Sequence, residues 1–155
     1  MAKRVLFVCL GNICRSPLAE AALRREAERL GIAVEVDSAG TGDWHVGRPP
    51  DRRAIAVARD NGVDISGLRA RQVRREDFRR FDLIVALDAQ NLADLEDLRP
   101  ADATADLSLL LDHVEGRRGE TVADPYHGDH SHFAETWADV VAGARGLARR
   151  IGAEK

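Results

Sequence analysis

The sequence contains little cysteine and no long apolar run. Its 155 residues include two cysteines, Cys9 and Cys14, too few for a disulfide framework and typical of a protein kept in a reducing compartment. No stretch approaches the roughly 20 apolar residues that a membrane-spanning helix needs, and the amino-terminal residues lack the apolar segment of a secretory signal. We therefore expect a cytoplasmic protein that does not act at a membrane, with secretion by a non-classical route left open.

The chain also lacks a strong excess of charge of either sign. Its net charge of −3 argues against a nucleic-acid-binding protein. A local cluster of basic residues favours a solvated face, with a substrate-docking patch as the alternative: Arg69, Arg71, Arg74, Arg75, Arg79 and Arg80. The length predicts one domain over residues 1–155, long enough to bury a core.

Short apolar runs alternate with helical patterns along the chain. The runs at residues 5–8, 34–36, 83–87 and 107–111 are typical of strands buried on both faces of a sheet. Helical spacing occurs at residues 17–30, 51–61, 91–98 and 133–151. This alternation predicts an α/β fold with a parallel sheet and helices on both of its faces.

Residues that commonly begin and end helices mark the predicted boundaries. Ser16 is a candidate N-cap for the first helix, with Pro17 as its first residue and Gly31 at its end. Asp51 and Asp88 are placed to begin the second and third helices. Asp129 and Ser131 compete as caps of the last one.

The most informative segment is residues 9–16, Cys-Leu-Gly-Asn-Ile-Cys-Arg-Ser, which we call the anion loop. It follows the first strand and precedes a helix, so its backbone N–H groups and the helix N-terminus favour a bound phosphate. The same field favours a thiolate at Cys9, and Arg15 offers a planar fork for two phosphate oxygens. Gly11 relieves crowding, and Asn12 tolerates left-handed backbone geometry. This segment predicts cysteine-based phosphoryl transfer.

Such chemistry needs a proton donor for the leaving oxygen, and Asp124 is the best candidate. Pro125 restricts the backbone of Asp124 and holds the carboxylate on a stiff loop. A simple Asp-Pro turn is the alternative, because sequence periodicity does not place Asp124 beside Cys9.

The anion loop near the N-terminus and Asp124-Pro125-Tyr126 near the C-terminus together resemble the low-molecular-weight protein tyrosine phosphatases. The similarity extends through residues 37–41, 47–51, 71–72 and 86–88, together with Asn91. The resemblance implies a four-stranded parallel sheet, a phosphate-binding loop after the first strand, and no metal or other cofactor. It also implies hydrolysis of phosphotyrosine in proteins, with a tyrosine kinase among the candidate substrates and oxyanions as ligands of the loop. The arginine-rich and alanine-rich composition is reminiscent of a bacterial protein.

The resemblance assigns roles by position. Cys9 is the nucleophile, Arg15 binds the phosphate, and Asp124 is the general acid and base. The amides of the loop bind substrate: Leu10, Gly11, Asn12, Ile13, Cys14 and Arg15. Trp44 and Tyr126 are aromatic walls of the pocket, with loop packing as the alternative for each. Ser16 and Ser38 support the loop.

Several positions depart from the family pattern or allow two interpretations. Leu68 stands where relatives often carry a histidine bonded to the loop asparagine, so the network is thinner here or another group replaces it. His127 stands where relatives often carry a second tyrosine. Cys14 is either a small filler or, as the resemblance suggests, a disulfide partner of Cys9. His127, His130 and His132 favour a solvated helix start over a metal site.

Two other functions remain as alternatives. The first is an arsenate reductase, which would have to use an external thiol because no cysteine lies outside the loop. The second is a catalytically weak module that binds phosphate or senses redox state. The presence of Asp124 with Cys9 and Arg15 argues against that module, since binding alone needs no acid.

Overall fold

The computed structural model describes residues 2–154. Its four strands form one sheet in the order β2-β1-β3-β4, and every neighbouring pair is parallel. The strands are β1 (Lys3–Cys9), β2 (Val34–Gly40), β3 (Leu83–Ala86) and β4 (Asp106–Leu109). The predicted four-stranded parallel sheet is therefore confirmed.

Five α-helices and one short 3-10 helix connect and follow the strands. They are α1 (Arg15–Leu30), α2 (Arg52–Asp60), α3 (Asp77–Arg80), α4 (Ala89–Leu98), the 3-10 helix (Leu110–His113) and α5 (His130–Ala153). The sequence did not predict α3, because four residues are too few for a helical period to show. Within residues 2–154, no helix combines the length and the apolar character needed to span a bilayer.

Each face of the sheet carries its own apolar core. Alternate residues of β1 point to opposite faces, so Val5 and Phe7 join one buried cluster while Leu6 and Val8 join another. The first cluster includes residues of α1, α2 and α5, and the second includes residues of α3 and α4. Helices therefore cover both faces, as predicted.

Most of the predicted caps are confirmed. The carboxylates of Asp51, Asp88 and Asp129 each accept a backbone N–H in the first turn of α2, α4 and α5. Gly31 ends α1 in the left-handed conformation, with φ of 68°. Ser131 lies inside α5, so Asp129 caps that helix.

The prediction that Ser16 caps the first helix is wrong. Helix α1 begins at Arg15 and its N-cap is Cys14, without a side-chain hydrogen bond. The hydroxyl of Ser16 instead contacts Cys9 and Asn12 in the loop before the helix. Ser16 therefore makes polar contacts, as a capping serine would, but its partners are side chains of the anion loop and not a backbone N–H of the helix.

The carboxyl ends of β2 and β4 differ most from prediction. Strand β2 continues to Gly40, although its second half carries the polar residues Asp37 and Ser38. Strand β4 ends at Leu109, and the apolar residues that follow turn into the 3-10 helix. In both places tertiary contacts override the local apolar pattern. Residues 37–40 stay in β2 because they pair in register with residues 6–9 of β1. Leu110 and Leu111 leave the strand because they are buried in the core cluster that includes residues of α1, α2 and α5.

Candidate active site

The anion loop lies at the carboxyl edge of the sheet, between β1 and α1, where sites of open parallel sheets are found. The end of β2 is bonded to it: Thr41 N donates to Cys9 O and Gly42 N donates to Leu10 O, both at 2.9 Å. Gly40 makes this approach possible, because a Cβ at that position would lie 2.7 Å from Leu10 O. Backbone hydrogen bonds from the residues that follow β2 therefore fix the start of the anion loop.

Asn12 organises the interior of the loop. Its φ is 58°, the one positive value outside glycine within residues 2–154, in line with the predicted left-handed geometry. Its Nδ2 donates to Ser16 Oγ at 2.7 Å and to Ser38 Oγ at 2.9 Å. These bonds offset the cost of the left-handed conformation.

A backbone group pairs with the oxygen of the Asn12 amide. Asn12 Oδ1 accepts a hydrogen bond from Arg71 N at 3.0 Å, while Leu68 packs against the core cluster. Both N–H groups and the oxygen of the Asn12 amide are thus paired. With Leu68 at its position, this chain completes the hydrogen bonds of Asn12 without a histidine.

A buried carboxylate extends this network into α1. Ser38 Oγ donates to Glu20 Oε1 at 2.7 Å, and Arg24 Nη2 donates to Glu20 Oε2 at 2.7 Å. Glu20 is buried, and this burial raises the pKa of its carboxyl above the ordinary value. The Ser38 and Arg24 contacts partly counteract that rise.

The two thiols of the loop have different surroundings. Cys9 Sγ lies 3.0 Å from Ser16 Oγ, and either atom can donate the hydrogen. Cys14 is buried, and burial, followed by the nearby carboxylate of Asp51, holds the pKa of its thiol far above the ordinary range. Both cysteines are free thiols in this structure.

Arg15 is held by groups from distant parts of the chain. Its Nη1 donates to Asp88 Oδ2 at 2.7 Å and to Val122 O at 2.9 Å. Its Nη2 lies 3.6 Å from Asp124 Oδ2. The guanidinium side chain is only 3% exposed, so its orientation is fixed before any anion binds.

Asp124 stands on a loop that other residues hold in place. Its Oδ1 accepts a hydrogen bond from Tyr126 N at 3.1 Å, while 43% of its side chain stays exposed. Arg53 donates to Tyr126 O at 2.9 Å and to Gly128 O at 3.2 Å. The carboxylate therefore faces the cavity from a fixed turn.

Most of the predicted site residues meet around one cavity of about 240 Å³. Those that line it are Cys9, Leu10, Gly11, Ile13, Cys14, Arg15, Trp44, Asp124 and Tyr126. Asn12 does not line it, because its side chain points towards Ser16 and Ser38. These two serines are buried beneath the loop, which fits their predicted supporting position.

Sequence reasoning missed several residues around the cavity. His45 and His127 line it, and Arg53 holds the Asp124 loop. Asp88 was predicted mainly as a cap, with a place at the rim of the pocket left open, and it pairs with Arg15. The sequence signal for the two histidines is adjacency, since His45 follows Trp44 and His127 follows Tyr126.

The three histidines near the C-terminus do not act together. His127 lines the cavity, whereas His130 and His132 lie exposed at the start of α5, as the solvated-start interpretation predicted. His132 Nδ1 lies 2.9 Å from Asp129 Oδ1. Within residues 2–154, no group of three or more His, Cys, Asp or Glu side chains is arranged to hold a metal ion.

Comparisons with known proteins agree on one family. The family model described as low molecular weight phosphotyrosine protein phosphatase matches residues 4–155. A low molecular weight protein-tyrosine-phosphatase from Streptomyces coelicolor is 44% identical over 152 residues, which cover 95% of this chain and 92% of the relative. A low molecular weight phosphotyrosine protein phosphatase from Schizosaccharomyces pombe is 40% identical over 141 residues, covering 89% and 90%.

Solved structures agree with the sequence comparisons. The crystal structure of YfkJ from Bacillus subtilis superposes with a TM-score of 0.92 at 39% identity, covering 100% of this chain and 98% of that one. Both the sequence and the fold are therefore similar to these phosphatases over nearly their whole length. The chain belongs to the low molecular weight phosphotyrosine protein phosphatase family and is a cysteine-dependent phosphatase.

Proposed function

We propose that this enzyme hydrolyses phosphotyrosine in proteins, and simpler aryl phosphates, through a phosphocysteine intermediate on Cys9. The observation that carries the proposal is the meeting of Cys9, Arg15 and Asp124 around one cavity. Cys9 and Arg15 come from the two ends of one loop, whereas Asp124 comes from a distant segment of the chain. A site that only bound phosphate would need no carboxylate beside the arginine.

In the first step, the Cys9 thiolate attacks the phosphorus atom of the ester. The S–P bond forms as the bond between phosphorus and the tyrosine oxygen breaks. Arg15 and the backbone N–H groups of the loop stabilise charge on the transferred phosphoryl oxygens. Asp124, protonated for this step, gives its proton to the departing tyrosine oxygen.

In the second step, water hydrolyses the phosphocysteine. The Asp124 carboxylate takes a proton from the attacking water, the new P–O bond forms, and the P–S bond breaks. The sulfur leaves with its electron pair and receives a hydrogen bond from Ser16, whose Oγ lies 3.0 Å from it. Inorganic phosphate then departs, and both Cys9 and Asp124 have returned to their starting states.

The shape of the cavity supports an aryl substrate. Trp44 and Tyr126 line it above the loop and are 68% and 40% exposed, so both rings offer apolar surface to a phenyl group. Phosphotyrosine is long enough to reach the thiolate between these walls, whereas phosphoserine would leave them without a partner. We therefore propose that the two aromatic residues provide the preference for phosphotyrosine.

The decisive experiment is steady-state hydrolysis of p-nitrophenyl phosphate and of a phosphotyrosine peptide in the presence of EDTA. Wild type should turn over both substrates, Cys9→Ser should lose turnover while keeping its fold, and a phosphoserine peptide should react far more slowly. Cys14→Ser is the matched variant of the second thiol. Turnover that persists in Cys9→Ser but disappears in Cys14→Ser would contradict the assignment of the nucleophile.

Four expectations from the sequence stay predictions. They are a cytoplasmic location, a bacterial source, one domain over residues 1–155, and a tyrosine kinase among the protein substrates. Of the alternative functions, arsenate reduction is not favoured, because the relatives compared above are named as phosphatases.

A further inference from the structure

A second concavity lies beside the active-site cavity and shares Leu10 and Trp44 with it. This groove has a volume of about 450 Å³. Its walls include residues from the anion loop, from the segment after β2 and from α4. We call it the flanking groove. Its lining residues include Leu10, Thr41, Trp44, Val73, Asp94 and Leu98.

The flanking groove is continuous with the active site. Leu10 and Trp44 line both spaces, and both are exposed, at 42% and 68% of their surface. The Trp44 ring packs onto Gly42, where a Cβ would lie 1.9 Å from the ring. This close packing holds the ring where the two spaces meet. When the phosphotyrosine of a protein substrate occupies the active-site cavity, the substrate residues next to it therefore lie close to the flanking groove.

The groove combines apolar walls with one negative charge. Leu10, Val73, Trp44 and Leu98 supply apolar surface, and Asp94 is the charged residue among its lining residues. Gln90 Nε2 donates to Asp94 Oδ1 at 2.9 Å. Over residues 2–154, Asp94 forms no ion pair.

The wall has another polar side chain, that of Thr41, but its hydroxyl oxygen is buried and cannot be reached from the groove. Asp94 is therefore the charged acceptor that a ligand can reach. Within residues 2–154, its Oδ1 accepts from Gln90 and its Oδ2 makes no hydrogen bond.

We propose that the flanking groove binds a lysine or arginine side chain from a residue close to the phosphotyrosine in the protein substrate. This inference rests on the proposed function. The aliphatic part of such a side chain packs on Leu10 and Leu98, and its cationic end pairs with Asp94. Trp44 adds a cation–π contact when the side chain is arginine. An acidic side chain in the same place would be repelled by Asp94.

The test is a set of phosphotyrosine peptides in which each of the positions flanking the phosphotyrosine carries lysine, norleucine or glutamate in turn. Norleucine keeps the apolar stem without the charge. The readout is the kcat/KM of each peptide divided by that of p-nitrophenyl phosphate for the same enzyme. Asp94→Asn and Asp94→Lys are compared with Asp97→Asn, which changes an exposed acid of the same helix outside the groove.

We expect lysine at one flanking position to raise kcat/KM roughly threefold to fivefold over norleucine, the range of a partly exposed ion pair. Asp94→Asn should remove this preference, Asp94→Lys should transfer it to glutamate, and Asp97→Asn should keep it. Equal rates for lysine and norleucine peptides would overturn the proposal in favour of an apolar occupant. Rates that do not depend on the flanking residues would overturn the proposed role of the flanking groove and leave the proposed function standing. If wild type turned over no substrate at all, both proposals would be overturned.

Discussion

Arg15 and Asp88, which are 73 residues apart in the chain, form a hydrogen-bonded ion pair of 2.7 Å beside the anion loop. Asp88 uses its two oxygens for different tasks, since Oδ2 accepts from Arg15 and Oδ1 accepts from Asn91 N at 2.7 Å. The same carboxylate thus caps helix α4 and orients the guanidinium of Arg15. Helix α4 and the anion loop are therefore linked through one side chain.

Asp88→Asn should separate these two tasks. An asparagine still caps the helix but loses the charge that orients Arg15. We expect kcat/KM for p-nitrophenyl phosphate to fall about tenfold, the size of one lost hydrogen bond to a charged group. Asp88→Ala should show the same kinetic loss and, in urea unfolding, an additional destabilisation of about 1 kcal/mol from the missing cap. Unchanged kinetics in both variants would contradict the positioning role.

Asp124→Asn should affect substrates according to their leaving groups. Asparagine cannot donate the proton, so aryl phosphates with poorly leaving phenols should slow by roughly 100-fold or more. p-Nitrophenyl phosphate should slow much less, because its leaving group needs little protonation. A series of substituted phenyl phosphates measures this directly, and an equal loss across the series would contradict the acid assignment.

Gly40→Ala should disrupt the anion loop, because the end of β2 packs closely against the loop backbone. The added Cβ would meet Leu10 O at 2.7 Å, so either the end of β2 or the loop must move. We expect a destabilisation of about 1–3 kcal/mol and a clear loss of phosphatase activity. Gly67→Ala is the matched control, since a Cβ there meets no atom within 4 Å. Thermal unfolding and turnover of both variants test this, and wild-type behaviour of Gly40→Ala would show that the loop accommodates the methyl group.

Glu20 should make part of the stability depend on pH. Its pKa is raised in the folded protein above the ordinary 4.5, so the folded state binds the proton more tightly than the unfolded state. The stability linked to this proton is complete below 4.5 and is lost as the pH rises through the folded-state pKa. The free energy of unfolding of wild type should therefore fall relative to Glu20→Gln over this interval.

Urea unfolding of wild type and Glu20→Gln from about pH 4 to about pH 7 measures that difference. Glu28→Gln, an exposed glutamate of the same helix, controls for the loss of one negative charge. If the free energy of unfolding of wild type instead rose relative to that of Glu20→Gln as the pH increased, the assigned direction of the pKa shift would be wrong.

The two cysteines should differ in reactivity. Burial and the nearby Asp51 raise the pKa of Cys14, so this residue stays a thiol at neutral pH and reacts poorly with iodoacetate. Cys9 should be carboxymethylated first, and added phosphate should slow its modification by occupying the loop. Peptide mass spectrometry identifies the labelled residue. Faster labelling of Cys14 would contradict this order.

Local signals in the sequence determined the sheet, the main helices and the anion loop. Apolar runs marked the strands, carboxylates at helix starts marked three caps, and the spacing from Cys9 to Arg15 marked a phosphate-sized loop. These features were predictable because each depends on residues close together in the chain. The prediction of Ser16 as a cap failed although its partners are also close in the chain, because its hydroxyl bonds to the side chains of Cys9 and Asn12 and not to a backbone N–H of the first helical turn.

Tertiary structure decided the contacts that complete the site. Arg15 bonds to Val122 O across 107 positions of the chain and to Asp88 across 73, and no periodic pattern specifies such a pair. The group that bonds the Asn12 oxygen is the backbone N–H of Arg71, and every residue except proline has that group. Sequence by itself determined the order of strands and helices and predicted which residues carry the chemistry. Packing of the sheet and helices decided which of those residues meet, because side-chain contacts depend on distances in space.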